Sequence, residues 1–171
     1  MPMKADLWFP TVIWNDHLKD VNNAEIKEYV EKLAEEDKVG KVASNYGGWQ
    51  SKSFELLDQK PLAIERFIHT LQRCLNECTK MAGMPDLIIS DWWWNINYHK
   101  DYNQPHNHRD SVLSGVYYID VPEDSDSKIH FDREDEAQYY LPRYMPQRNQ
   151  ITAVRATYTP LTNHVFIFPS W

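Results

Sequence analysis

Two imidazoles one residue apart carry the strongest chemical signal in this chain. His106-Asn107-His108-Arg109-Asp110 runs directly into the strand-like Val112-Leu113-Ser114-Gly115-Val116-Tyr117-Tyr118-Ile119. In an extended chain, residues i and i+2 point to the same face. His106 and His108 are then expected to project together and to hold two adjacent positions of an octahedral metal. A third ligand from another strand would complete a facial set and leave three positions open for a chelating substrate and dioxygen. His108-Arg109-Asp110 offers a second pairing, a His-x-carboxylate at the same spacing. His108 belongs to both pairings, while His106 and Asp110 compete for the second position. On spacing alone, exposed polar residues in a loop after Pro105 explain the cluster at least as well.

The rest of the chain must supply the elements that aim these groups. At 171 residues, with 42% hydrophobic side chains, the expectation is a single domain with a sizeable core. It divides into a helical part over about 1–85 and a β-rich part over about 86–171. The net charge of −7 and the lack of a basic stripe argue against nucleic-acid or membrane-surface binding. No apolar run is long enough for a membrane span, and the first ten residues lack a secretory pattern, which points to a cytoplasmic protein. Cys74 and Cys78 read as small buried side chains on one helix face.

Leu7 to Trp14 reads as a first strand interrupted by Pro10. Asn22 or Asn23 caps a helix whose apolar positions are Ile26, Tyr29, Val30, Leu33 and Ala34. A double glycine marks the turn in Ser44-Asn45-Tyr46-Gly47-Gly48-Trp49-Gln50-Ser51. A second helix starts near Pro61, presents Leu62, Phe67, Ile68, Leu71, Leu75, Cys78 and Met81, and stops near Gly83. The period then changes. Strands are expected over Leu87–Tyr98, Val112–Val121, Lys128–Asp132, Ile151–Tyr158 and His164–Phe168. Glu123-Asp124-Ser125-Asp126 reads as a solvated loop. Helices followed by closely spaced strands give an α+β class, with helices packed on one side of a β-sandwich or barrel.

Several motifs occur in one order: Gly47-Gly48-Trp49-Gln50-Ser51, Trp94-Asn95-Ile96-Asn97, Pro105-His106-Asn107-His108, Ser111-Val112-Leu113-Ser114-Gly115-Val116-Tyr117-Tyr118, Ile129-His130-Phe131-Asp132-Arg133 and Phe166-Ile167-Phe168-Pro169-Ser170-Trp171. From about Ser44 to Trp171 this resembles the small 2-oxoglutarate- and Fe(II)-dependent oxygenases of marine bacteria and their phages. The resemblance implies a double-stranded β-helix (jelly-roll) core with the N-terminal helices on one side. It implies Fe(II) held by His108 with His106 or Asp110, and 2-oxoglutarate as the cosubstrate. Asn97, Ser114, Tyr117 and Arg133 are its cofactor-binding candidates, and Trp94 and Tyr98 further cavity-lining ones. Core packing is the alternative role for the residues drawn from the strands.

The resemblance also implies a distal His after the Phe-Pro-Ser-Trp segment, and then a basic residue for the far carboxylate of 2-oxoglutarate. A guanidinium suits that carboxylate because its planar fork donates two parallel hydrogen bonds. The sequence stops at Trp171, so the expectation is a chain truncated at its C-terminus, with the last strand or strands missing. Among replacement ligands His130 ranks first, ahead of His164 and His99. Two rival readings follow from the same feature. One is a catalytically inactive jelly-roll that binds or supports. The other is a homodimer that covers the exposed sheet edge or supplies a ligand in trans. The substrate, a small molecule or a peptide, is not readable. Neither a phosphate-binding glycine loop nor a Gly-x-Ser-x-Gly elbow is present.

Overall fold

A computed structural model describes residues 3–171. The chain forms two compact units. One contains the chain through Ile119 together with Asn163–Trp171, and the other contains Asp120–Thr162.

The first unit is organised by a three-stranded antiparallel sheet and two helices. The sheet order is β1 (Trp14–His17), β11 (His164–Pro169) and β8 (Leu113–Tyr117). β11 is central, and its run Val165-Phe166-Ile167 is buried, with Phe166 fully so. Val165 and Ile167 are buried on one face and Phe166 on the other, and a strand buried on both faces reads as a continuous apolar run. Register places Phe168 opposite Ser114 and His164 opposite His17. The alternation of β11 turns Val165 and Ile167 toward Leu75 and Cys78 of helix α2 (Leu62–Ala82).

α2 begins after Pro61 and ends at Gly83, whose φ of 64° is the left-handed C-cap conformation that glycine adopts without strain. Ile64, Phe67, Ile68, Leu75 and Cys78 are its buried apolar positions. Leu62 and Met81, expected on that face, are exposed because they sit in the first and last turns, beyond the core. Helix α1 (Asn23–Glu36) buries Ile26 and Val30 in a cluster with Trp49, Phe54, Ile64, Phe67, Ile68 and Trp94. Asn22 precedes it, but its side chain donates to Glu25 and does not cap the backbone.

Three two-stranded ladders complete this unit: β2 (Asn45–Tyr46) with β7 (Tyr102–Asn103), β3 (Trp49–Gln50) with β6 (Asn95–Ile96), and β4 (Phe54–Glu55) with β5 (Asp91–Trp92). The expected strand over Leu87–Tyr98 is therefore two short strands with different partners. Trp92 stacks on Phe54, Trp94 packs on Phe67, and Trp93 between them leaves the ladder. The expected first strand over Leu7–Trp14 starts only at Trp14. Leu7, Trp8 and Phe9 are exposed, so no burial supports a strand there.

The second unit pairs β9 (Ile129–Asp132) with β10 (Arg155–Tyr158), a ladder fixed by Arg155 Nη2 donating to Asp132 at 2.8 Å. A one-turn helix, α3 (Ala137–Tyr140), lies between them in sequence and had no periodic signal. The class is thus mixed helix and short antiparallel strands, and the described residues form no closed barrel. No helix among the described residues is long and apolar enough to cross a membrane.

Candidate metal centre

The histidine segment leaves a ladder and is then tied down at both ends. Asn103 pairs with Asn45, Tyr102 stacks on Tyr46 with ring centroids 5.0 Å apart, and Gln104 N–H donates to the Ser44 carbonyl at 2.8 Å. Pro105 then ends the pairing, because it has no N–H to donate. Beyond it His106 Nδ1 lies 2.7 Å from the Gln104 carbonyl. A carbonyl only accepts, so the proton of that bond sits on Nδ1. In the neutral ring Nε2 then carries the free lone pair. A metal-binding imidazole is commonly oriented by such a bond from its other nitrogen to a backbone carbonyl.

His108 is held from the other side. Its backbone N–H donates to the Ser170 carbonyl at 2.8 Å, and its own carbonyl accepts from Ser111 N–H at 3.1 Å. Ser170 is buried, donates its N–H to the Val112 carbonyl, and shares a 2.8 Å hydroxyl contact with Ser114. The His108 ring leans on Trp93, with centroids 5.5 Å apart. His106 and His108 therefore sit in a loop between β7 and β8 and not at the mouth of a strand as their spacing suggested. They still meet: their ring centroids are 4.8 Å apart and the planes nearly perpendicular at 85°.

That separation allows a simple test of fit. Two imidazoles on adjacent octahedral positions, with metal–nitrogen bonds of about 2.1 Å, place their centroids roughly 4.6 Å apart. The observed 4.8 Å is close to this value. Protonation favours binding too. Burial first, and the neighbouring His106 second, push the His108 pKa below the ordinary imidazole value, against a smaller opposing pull from Asp91. The ring is thereby kept neutral, as a ligand must be. The donor set fits an ion held by two imidazoles. Among the described residues no third His, Cys, Asp or Glu joins them, so a facial triad is not complete.

The other candidates fall in different places. Asp110 is exposed and does not stand with the two imidazoles. Asn97 lies beside the Gly47-Gly48 turn, where a Cβ on Gly48 would come within 2.7 Å of its Oδ1. Ser114 contacts Ser170. The Tyr117 hydroxyl is 2.9 Å from both Asn23 Oδ1 and Asn163 Oδ1 and donates to one at a time, and burial pushes its pKa up to about 12. Its ring packs on Phe67 at 4.9 Å. Trp94 is core, and Tyr98 is exposed. Arg133 belongs to the second unit, where it donates to Asp135 and to the Ile151 carbonyl.

Of the replacement ligands, His130 is also in the second unit, 2.9 Å from Thr157 Oγ1. His99 is exposed in a turn. His164 lies beside His17, centroids 5.7 Å apart. It opens β11, six residues before Ser170, a distance of roughly 20 Å along an extended chain.

A cleft of about 520 Å³ opens beside the imidazoles. His106 and His108 line it together with Lys41, Gln50, Asp91 and Trp93. Sequence reasoning had not assigned Lys41, Asp91 or Trp93 to the site. Gln50 had appeared only as part of a turn motif. The only hint was that motif's double glycine, which brings β3 close to β6.

Residues 91–171 match the family model described as "Putative 2OG-Fe(II) oxygenase". This stretch, a little under half of the chain, is similar to that family. The match begins at Asp91 on the cleft wall, covers both imidazoles, and runs through the Ser170 tie. The oxygenase resemblance read from the motifs holds over these residues, and the family in general uses Fe(II) and 2-oxoglutarate. No curated protein matches the chain.

Proposed function

We propose that this chain is an Fe(II)- and 2-oxoglutarate-dependent dioxygenase that hydroxylates an unidentified small molecule or peptide. In this reading His106 and His108 are the two protein ligands to the metal. The observation that carries it is the perpendicular imidazole pair at 4.8 Å, with the His106 tautomer fixed by the Gln104 carbonyl. The antiparallel pairing of β8, β11 and β1 supports a double-stranded β-helix as the scaffold.

The iron and the oxoacid, when bound, supply the oxidising chemistry. The chain's own residues orient and enclose. The Gln104 carbonyl holds the Nδ1 proton of His106 and aims Nε2. The Ser170 carbonyl fixes the loop that carries His108. Trp93 presents an apolar wall that keeps bulk water from one side of the His108 ring.

The test is conversion of 2-oxoglutarate to succinate by the iron-loaded protein under oxygen. The reading requires succinate formation that depends on Fe(II) and is lost in His108→Ala. Protein that binds metal one-to-one and forms no succinate overturns it. A second reading, a non-catalytic scaffold that binds a metal or ligand, is favoured by one observation: the imidazole pair has no third companion among the described residues.

A further inference from the structure

We infer that Lys41 and Gln50 form a carboxylate-recognition subsite in the cleft shared with the two imidazoles. Both residues line that cleft, and both lie outside the stretch that matches the oxygenase family. The inference rests on the proposed function only for what binds next to the carboxylate.

Gln50 is 6% exposed, yet its side-chain amide has no hydrogen-bond partner among the described residues. Gln50 lines the cleft, and its amide atoms keep some access to solvent. A primary amide with no protein partner and little access to water has donors and an acceptor still to satisfy. An incoming polar group would supply the partner it lacks.

Lys41 is held next to it by construction. Its backbone N–H donates to the Gln50 carbonyl at 2.7 Å. The preceding Gly40 has φ 61°, and a Cβ there would come within 2.6 Å of the same carbonyl and 2.8 Å of the Trp49 ring. Only glycine lets this connection lie so close to β3. Asp37 secures the other end, its carbonyl accepting from Trp49 Nε1 at 2.6 Å and its carboxylate from Gly40 N–H at 3.1 Å. No ion pair engages the Lys41 ammonium among the described residues.

A cation and an amide N–H on the wall of one cleft match the two oxygens of a carboxylate through charge-assisted donation. Asp91 also lines the cleft and acts on His108, so the anion-binding end is the Lys41–Gln50 end. The carboxylate can come from the oxoacid cosubstrate or from the substrate itself.

The experiment titrates metal-free protein with glutarate, a dicarboxylate without the keto group that chelation needs, and follows the Gln50 side-chain NH₂ signals by NMR. These signals are assigned by their loss in Gln50→Leu. The wild type is expected to show a saturable shift, weakened at least tenfold in Lys41→Met and retained in Lys41→Arg. His106→Ala keeps the shift, so a failed metal site leaves this result intact. No saturable shift in the wild type, or an unchanged one in Lys41→Met, overturns the inference. With Mn(II) present, 2-oxoglutarate that displaces glutarate identifies the cosubstrate as the carboxylate source. Simultaneous binding of both identifies the substrate.

Discussion

The backbone N–H of His108 donates to the carbonyl of Ser170 at 2.8 Å, which ties the imidazole loop to the end of the central strand β11. Ser170 in turn donates to Val112 and meets Ser114 through its hydroxyl. The two segments that flank the loop in the sheet, β8 and β11, are thus stitched together where the loop departs. The sheet end thus anchors the His108 side of the loop, while the Gln104 carbonyl holds the His106 ring.

The Ser114–Ser170 contact is part of that stitch, and its energy is measurable. Ser170→Ala leaves the backbone ties intact and removes one hydroxyl pair, which costs about 1 kcal/mol. A double-mutant cycle with Ser114→Ala, read by urea denaturation, is expected to return a coupling of that order and little change in metal affinity. Additive effects would show that the two hydroxyls do not interact.

Tyr117 separates packing from cofactor contact. Its hydroxyl belongs to the Asn23–Asn163 network, in which Asn23 Nδ2 also donates to Asn163 and to the Ile119 carbonyl. Tyr117→Phe is expected to lower stability by about 1–2 kcal/mol and to leave 2-oxoglutarate and metal binding unchanged. A selective loss of cosubstrate affinity at unchanged stability would return Tyr117 to the cofactor site.

Gly48 and Gly83 share a left-handed backbone but not the same surroundings. At Gly83 a Cβ meets nothing within 4 Å, while at Gly48 it would meet the Ile96 carbonyl at 2.6 Å. Gly83→Ala is expected to cost only the left-handed penalty, about 1–2 kcal/mol. Gly48→Ala should cost clearly more, because β3 and β6 must separate. Equal losses in thermal denaturation would contradict the close approach of these strands.

Acid should weaken the fold through its depressed imidazoles. His108 and His164 both have pKa values pushed below the ordinary 6.5 by burial first and by a neighbouring histidine second. As pH falls, the unfolded chain takes up protons before the folded one. The stability is therefore fully present above the ordinary imidazole value and is lost as pH falls through it toward the folded value. His108→Asn should flatten part of that loss as pH falls below the ordinary imidazole value, with His164 supplying the remainder. An unchanged pH profile would show that His108 is not buried enough to matter.

Much of the scaffold is written locally. Pro61 and Gly83 bracket α2 because one suits a helix entry and the other a left-handed exit. The run from Val165 to Phe168 announces a buried strand because every position is apolar. The pairing of His106 with His108 was legible from spacing, although the physical cause differs. A hydrogen bond to Gln104 and a tie to Ser170 turn the rings together, and strand alternation does not. What stayed hidden depends on distant approach. Lys41 and Gln50 become neighbours only because Gly40 allows close contact with β3, and Trp93 reaches His108 only because the expected strand over Leu87–Tyr98 splits. Leu7 to Trp14 misled because apolar residues there are not buried.

The most direct test of the central claim counts imidazoles on a bound ion. Pulsed electron paramagnetic resonance of the protein loaded with one equivalent of Cu(II) reads the remote nitrogen of each coordinated histidine. The account predicts two such nitrogens in the wild type, fewer than two in His106→Ala and in His108→Ala, and two in Asp110→Ala. One or none in the wild type, or two surviving in either histidine variant, would contradict it.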